Sequence, residues 1–520
     1  MASKGNLVNL DAMIKRADFA STAESETTSF DTINSISVRH LDDFTGILRK
    51  PDFQRETNHW SPQQVVSLLE SFVTGDLIPS VILWKSNSYL FVIDGGHRIS
   101  ALRAWVEDDY GDRYISSKYF DGEIPKEQKK IAEKTRALVN AKVGSWADFN
   151  RQKNDENLQP QERARIQTIL TRALPIQWVT GDADKAEVSF FNINMKGTAL
   201  DDVEELLLKS RKKPTSIAAR AVIRAGKGHK YWSSFSTDNS AAIEKAAAEL
   251  HSILFDPDLK RPIKTLDLPL GGSRGVRVAL QLLIDFILAA NKNQDGIPEH
   301  ISDQDDDPDG SLTVTALKNS SILANRITGN NDGSLGLHPA IYFYGPTGRH
   351  SGPMFMGTVN LIAKKLINHD KNFFVKFSRI RRKLEQTLIN EKDLISKIIH
   401  AHVSGKRTAI YCELLELIID SLNNEEEITE IFLIEKSNLR GKIVAASPNN
   451  QHKKFNDDSK SQAFISSALQ SAMTCAICGG YLDPVKSVSY DHIIRVQDGG
   501  LGNVDNCQLT HPYCNMSMKN

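Results

Sequence analysis

"YDHIIRVQDGG", residues 490–500, sets an Asp-His pair before a short apolar run and a Gly-Gly turn. Its reading decides the fold of the C-terminal part, because His492 could hold a metal, pack in a core, or take a proton from water. A lone histidine beside an apolar run is usually a satisfied core or surface residue. The flanking residues weigh against that reading here. Upstream, "CAIC" gives Cys475-x2-Cys478; downstream, "HPYC" gives His511-x2-Cys514. Each pair can form a knuckle whose ligands point at one ion, and four such N/S ligands suit tetrahedral zinc. So small a module has too few apolar residues for a sufficient core, and bound zinc can supply ~10 kcal/mol or more of folding free energy. Cys507 is awkwardly spaced for both pairs; it is assigned to packing, with exchange for His511 as ligand the alternative.

Asp491, His492, Asn506 and Asn515 are left unclaimed by the zinc. The order and spacing of "CAIC", "DHIIRVQDGG", "NCQLTHPYC" and the closing Cys514-Asn515 resemble the HNH endonuclease motif of the ββα-metal fold, over about 45 residues. The resemblance implies that His492 is the general base that deprotonates water, a task suited to an imidazole, whose ordinary pKa is near ~6.5. It implies that Asn506 fixes the loop after His492 and thereby the ring. It also implies that Asp491 and Asn515 bind a hard cation, Mg²⁺ or Mn²⁺, which stabilises the phosphorane charge and the leaving 3′-oxygen. The chain departs from the pattern twice: His511 stands for the usual knuckle Cys, and Asn515 for the final His, a weaker ligand.

Outward from this module, 520 residues are too many for one core and imply two to four domains. Formal net charge is zero, so affinity for nucleic acid has to come from local patches. Four of the five cysteines fall in the last 50 residues, which points to a metal site and not a disulfide framework. The fifth, Cys412, lies in the helical apolar pattern "AIYCELLELIID" and reads as a small buried thiol. No apolar run approaches the ~20 residues of a membrane span. The first residues lack the apolar core of a secretory signal, so the expected location is cytoplasmic.

At the other end, "SPQQVVSLLESFVTG" reads as a helix with Ser61 as N-cap, Pro62 at its first position and Gly75 at its end. Two strands follow, Val81–Trp84 and Tyr89–Ile93, joined by "KSNS". The second runs into Asp94-Gly95-Gly96, where the helix "HRISALRAW" begins. Glycines let a phosphate approach the backbone, and a helix N-terminus attracts anions. Arg98 and Arg55 could add charge-assisted contacts, and Asp94 could hold a cation. The alternative is a strand–turn–helix corner closed by an Asp–Arg pair. Gln54-Arg55, Trp60, Ile78-Pro79-Ser80, Asp94-Gly95-Gly96-His97-Arg98 and the later Phe190, Asn194, Gly197 and Leu200 resemble the ParB/sulfiredoxin-like domain of GmrSD-type modification-dependent restriction enzymes and related phage-defence nucleases. The resemblance implies nucleotide binding, of a nucleoside triphosphate, at Gln54, Arg55, Asp94, Gly95, Gly96, His97 and Arg98. Gly96-His97 replaces the family's Gln-Gln, which leaves hydrolysis and base preference open.

Between these ends, "VRVALQLLIDFILAANK", "FMGTVNLIAKKLINH" and "KLEQTLINEKDLISKIIHAHV" carry helical periodicity. Lys376, Arg379, Arg381, Arg382 and Lys383, and Arg211, Lys212 and Lys213, could track DNA phosphates, though charge runs are more often solvated helix faces. "DDDPDG" (305–310) opens like a calcium loop, but Ala316 stands where the closing carboxylate belongs. "GPTGRHSG" (345–352) lacks the Gly-Lys-Ser/Thr ending of a phosphate loop.

The expected architecture is an α+β multidomain chain: an α/β ParB/sulfiredoxin-like sensor or nucleotide domain (1–208), a helical connector (209–445), a polar linker (446–462) and a zinc-stabilised ββα-metal domain (463–520). The expected activity is metal-dependent hydrolysis of DNA phosphodiesters in anti-phage restriction, with DNA as partner, no membrane, and self-association left open. The rival readings are a DNA-binding NTPase whose zinc module is structural, and a nuclease directed at RNA.

Overall fold

The computed structural model describes residues 7–17, 33–38, 41–51, 54, 57, 60–86, 89–120, 122, 124–153, 155, 157–181, 185–186, 189–190, 193, 202–227, 230–273, 276–437, 439 and 455–518. It divides into two compact units, Met1–Arg211 with Lys227–His229, and Lys212–Gly226 with Lys230–Asn520.

The first unit is built on a mixed sheet of β1 (Arg16–Ala17), β2 (Ser35–Ser37), β3 (Leu48–Pro51), β4 (Val81–Lys85), β5 (Leu90–Asp94) and β6 (Ala173–Val179), in the order β1-β3-β5-β4-β6-β2. β5 runs parallel to β3 and antiparallel to β4, which runs parallel to β6. Leu90 and Val92 enter one apolar core, and Phe91 and Ile93 enter another. A strand buried on both faces reads as an unbroken apolar run, as "LFVI" does. Helix α1 (Pro62–Thr74) starts and stops where the sequence places it. Ser61 and Gln64 form a capping box, Pro62 opens the first turn, and Gly75 closes the helix at φ 91°. Helix α2 (Gly96–Glu107) leaves β5 through the Gly95 turn.

The second unit is mostly helical: α3 (Pro214–Ile223), α4 (Thr237–Phe255), α5 (Val276–Ala290), α6 (Ser311–Ile327), α7 (Gly352–Ile367), α8 (Lys371–Asn390), α9 (Lys392–Ala401), α10 (Arg407–Asn423), α11 (Asp457–Gln470) and α12 (Pro512–Ser517). The single pattern expected at 383–403 breaks at Glu391 into α8 and α9. Residues 446–454 of the expected linker lie outside the described residues, and its last part is already helix α11. Cys412 is half-buried on α10. The two motif-like loops have local structural roles. Buried Asp307 accepts bonds from Gly310 N (2.9 Å), Thr313 N (2.8 Å) and Thr313 Oγ1 (2.6 Å), and so caps α6. Residues 344–350 close a tight turn through Gly345 N to Arg349 O at 2.8 Å, and Ser351 then caps α7. Among the described residues, no helix is long and apolar enough to cross a membrane.

At the end of this unit, β7 (Ser489–His492) pairs antiparallel with β8 (Cys507–Thr510), and α12 follows directly. The apolar core of this module consists of Cys475, Leu482 and Cys514, with Ile477, Val488, Leu509 and Met518 partly buried against them. Two of its three buried members are themselves candidate ligands.

Candidate metal and catalytic site

The first knuckle is set by backbone bonds: Cys475 N to Gly480 O at 2.8 Å and Gly479 N to Cys475 O at 2.9 Å. Gly479 sits at φ 68°, in the left-handed region. The second knuckle forms where β8 turns into α12, with His511 as N-cap and Pro512 in the first turn. The ligand atoms of Cys475, Cys478, His511 and Cys514 all lie within 4.8 Å of one another. His511 Nδ1 faces the thiols, 3.3 Å from Cys478 Sγ and 3.9 Å from Cys514 Sγ, while Nε2 lies 2.9 Å from Tyr481 O. That carbonyl accepts a hydrogen bond from Nε2–H, so the Nδ1 lone pair points at the cluster. Burial pushes the His511 pKa down, which favours the neutral ring a metal needs. Hydrogen bonds from Cys478 and Cys514 hold the Cys475 thiol far below its usual range, and the bonds that Cys514 makes to Cys475 and Cys478 push the Cys514 thiol far above it. Three sulfurs and one imidazole around a common point fit zinc by donor chemistry. Cys507 is not among them; it is exposed at the start of β8 and does not fill the packing role expected of it.

In β7, Ser489 and Asp491 fall on one face by strand alternation. Asp491 is buried and accepts a bond from Gln508 Nε2 at 2.7 Å, its register partner on β8. His492 pairs in register with Cys507. Asn515, on α12, donates from Nδ2 to Ser489 Oγ (2.8 Å) and Tyr490 O (3.4 Å). Strand and helix thus bring Asp491 and Asn515 to the same side of the ribbon. With its amide nitrogen committed to β7, Asn515 has its carboxamide oxygen left as a donor for a hard cation. A carboxylate and an amide oxygen fit Mg²⁺ or Mn²⁺, and not the thiol cluster's metal.

The loop after His492 is held by one side chain. Asn506 accepts from Ile494 N at 2.7 Å and donates from Nδ2 to Ile494 O (3.1 Å) and Leu501 O (2.9 Å), and its own carbonyl accepts from Ile493 N at 3.0 Å. The Gly-Gly turn is a steric need of this arrangement. A Cβ on Gly500 would meet Ile494 O at 1.9 Å and Asn506 Nδ2 at 2.8 Å.

The structure adds residues that the motif did not include. Glu385, fully buried on α8, accepts from Tyr481 N at 2.6 Å through Oε2; its Oε1 accepts from Arg381 Nε at 2.8 Å and Tyr342 OH at 3.0 Å. Tyr481 O in turn holds His511, so α8 is linked through one residue's backbone to a ligand of the cluster. Arg381 does not track DNA: it is 1% exposed and donates to the carbonyls of Leu335 and Gly336. Its side chain lies where a Cβ on Gly480 would be, at 2.8 Å. Lys376, Arg379, Arg382 and Lys383 remain exposed. Further bonds fasten the module to the helical body: Tyr513 N to Ser334 O (3.0 Å), Ser487 Oγ to Gly329 O (2.6 Å) and Lys486 Nζ to Leu268 O (2.6 Å). The second basic cluster is also partly drawn inward, with Lys213 bound to Gln304 O and 3.5 Å from Asp306.

In the first unit, the β5–α2 corner brings most of its predicted residues together. Gly95 has φ 95°, and a Cβ there would meet Val81 Cγ1 at 2.9 Å. Arg98 Nη2 donates to Asp94 Oδ2 (2.7 Å) and Ser80 O (3.1 Å), so the Asp–Arg pair closes the corner. His97 stacks on Trp60 with centroids 5.2 Å apart. Gln54 is buried beside Gly96, and its Oε1 has no partner among the described residues. Helix α2 starts at Gly96 with no side-chain cap. Arg55, Asn194, Gly197 and Leu200 lie outside the described residues, whereas Phe190 packs in the second core.

Residues 31–211 match the family model described as GmrSD restriction endonuclease, N-terminal domain, and residues 475–520 match the model described as HNH endonuclease. No curated protein and no solved structure matches the chain significantly.

Proposed function

Since this chain joins a GmrSD-type N-terminal domain to a C-terminal HNH endonuclease domain, we propose that it is a metal-dependent DNA endonuclease acting in restriction of phage or modified DNA. The observation that carries the reading is the joint placement of Asp491 and His492 on β7 and Asn515 on α12, beside a Cys3His cluster, with Asn506 tying down the intervening loop. His492 takes a proton from water as the water oxygen attacks phosphorus; the bond from phosphorus to the 3′-oxygen breaks, and the electron pair leaves on that oxygen. A cation held by Asp491 and Asn515 would stabilise the charge that develops on the phosphoryl and leaving oxygens. The Asn506 bonds hold the chain after His492 still, so the ring is oriented before substrate arrives. Gln508 fixes the Asp491 carboxylate in one rotamer. The Cys3His cluster is a zinc site whose role is to hold the two knuckles and thus α12.

A second reading concerns the first unit, which would sense a nucleotide at the β5–α2 corner. The observation in its favour is the uncapped start of α2, whose N–H groups can take a phosphate, with the unpartnered Gln54 Oε1 beside it as an acceptor for a base or ribose donor. One experiment addresses both readings. Modified and unmodified phage DNA, and RNA, are incubated in Mg²⁺ or Mn²⁺, with and without nucleoside triphosphates. Wild type should cut DNA, and His492→Ala should be slower by about 10²–10⁴-fold with unchanged zinc content. Equal cutting by both proteins, or none by either, sinks the endonuclease reading. A rate that does not respond to any nucleotide, together with no nucleotide binding, removes the sensor reading alone.

A further inference from the structure

A cleft of about 540 Å³ opens beside α12, walled by α7, α8 and the end of α6. Tyr513 and Met516 line it from α12, three residues apart and so on one helix face. Asn515, between them in sequence, is turned to β7 instead.

Arg326 is the unusual group in the cleft. Its guanidinium lies 5.0 Å from the Phe374 ring centroid and 5.9 Å from that of Tyr513, and Nη1 donates to Gly333 O at 2.8 Å. No carboxylate pairs with it among the described residues. Burial pushes its pKa down, so its charge is poorly compensated where it stands. Lys365, on the same wall, is different: Glu416 (2.8 Å) and Asp370 (3.6 Å) already neutralise it. Lys371 is exposed at the mouth and has no such partner among the described residues, and Asp332 supplies the acid on the rim.

A half-buried guanidinium between two aromatic faces is short of an anion, and its planar fork matches the oxygens of a phosphodiester. The cleft has room for a sugar-phosphate unit. Helix α12 is about 10–12 Å wide, so an anion here would lie roughly that far from β7. We propose that this cleft binds a backbone phosphate of the DNA substrate, flanking the phosphodiester presented to His492, through Arg326 with Lys371 at the mouth. The inference rests on the endonuclease reading above.

The test uses the full zinc-loaded chain in a His492→Ala background, so that no strand is cut, and measures anisotropy of a labelled duplex between 50 and 200 mM salt (roughly the range over which phosphate contacts report). Arg326→Gln should weaken binding about tenfold and lower the slope of log K against log salt by about 1. Lys371→Gln, on an exposed site that does not threaten folding, should lower the slope by about 1 with a smaller loss of affinity. If both variants bind like the parent with the parent's slope, the cleft is not a phosphate site, although the endonuclease reading stands. If Arg326→Gln unfolds, the Lys371→Gln slope decides. If wild type cuts no DNA and the parent binds none, the endonuclease reading falls and the cleft assignment falls with it.

Discussion

The β5–α2 corner and the β7–β8–α12 module both carry an acidic residue at or near the end of a strand, yet they rest on different support. Asp94 ends a strand buried on both faces by two apolar cores, and it is paired with Arg98 across one helical turn. Asp491 sits in a two-stranded ribbon whose buried core is Cys475, Leu482 and Cys514. In the first case the backbone is fixed by apolar burial, and the polar residues decorate it. In the second the polar residues are the structure: thiols, an imidazole, an asparagine and a glutamate from a distant helix hold the chain in place. A small module of this kind trades hydrophobic burial for coordination and buried hydrogen bonds.

The comparison is most open to attack at the metal. Removing zinc should abolish order in residues 475–518, since such sites supply about 10 kcal/mol or more, while the first unit stays folded. Of the six tryptophans, Trp60, Trp84, Trp105, Trp146 and Trp178 lie in that unit. Chelator treatment should therefore open the module to protease with little change in tryptophan emission. A module that stays protease-resistant without zinc would show that its apolar core suffices.

Next in size is the tether on α8. Glu385→Ala leaves Arg381 buried without its partner and the Tyr481 N–H unmet, and should cost about 3–5 kcal/mol. Zinc should also be lost faster to a competing chelator, because Tyr481 positions His511. Replacing both charges, Arg381→Met with Glu385→Leu, should recover much of the stability, because no lone charge remains. A loss under about 1 kcal/mol in Glu385→Ala would place the tether on the periphery.

The effect that is smallest per residue is in acid, and it also separates the units. His338 and His350 are buried in the second unit, and burial pushes their pKa values down to about 3 and about 4. His338 Nδ1 accepts from Ala340 N at 3.2 Å, which requires an unprotonated nitrogen. Below pH ~6.5 the unfolded chain binds protons that the folded one refuses, so this stability is complete above that pH and is lost as pH falls. At pH 5 the loss is about 2 kcal/mol per histidine. Calorimetry from pH 7 to 5 should show the second unit's transition falling, and a flat transition would mean that the rings are not held neutral.

The sequence alone makes the module legible because its parts act through fixed local spacing. The two knuckles, the Asp-His pair and the Gly-Gly turn are each readable over a few residues. The tether was not, because Arg381 lies in a run of cations that resembles a solvated or phosphate-facing helix. One signal could have separated it: Phe377, Arg381, Leu384, Glu385 and Leu388 share the helical spacing of the core stripe, so an Arg and a Glu four apart sit on the buried face. Cys507 shows the opposite limit, since spacing excludes it as a ligand but says nothing of its exposure. Of the first unit's strands, β4 and β5 were legible from their apolar runs, and α1 was legible from its caps, whereas β1, β2, β3 and β6 were not read from the sequence. The state of its corner was not, because an Asp–Arg pair and an anion site use the same residues.

The tether also bears on how the chain is assembled. Glu385 and its bond partner Tyr481 are 96 residues apart, and Ser487 is 158 residues beyond Gly329. The docking groups on the helical body emerge from the ribosome first, and they remain unmatched until the knuckles follow. Contacts of such separation form late, because loop closure comes before they contribute. The nascent helical body therefore exists for a time without cutting chemistry, and capture of a metal by the Cys3His cluster against that surface would be the step that arms the enzyme.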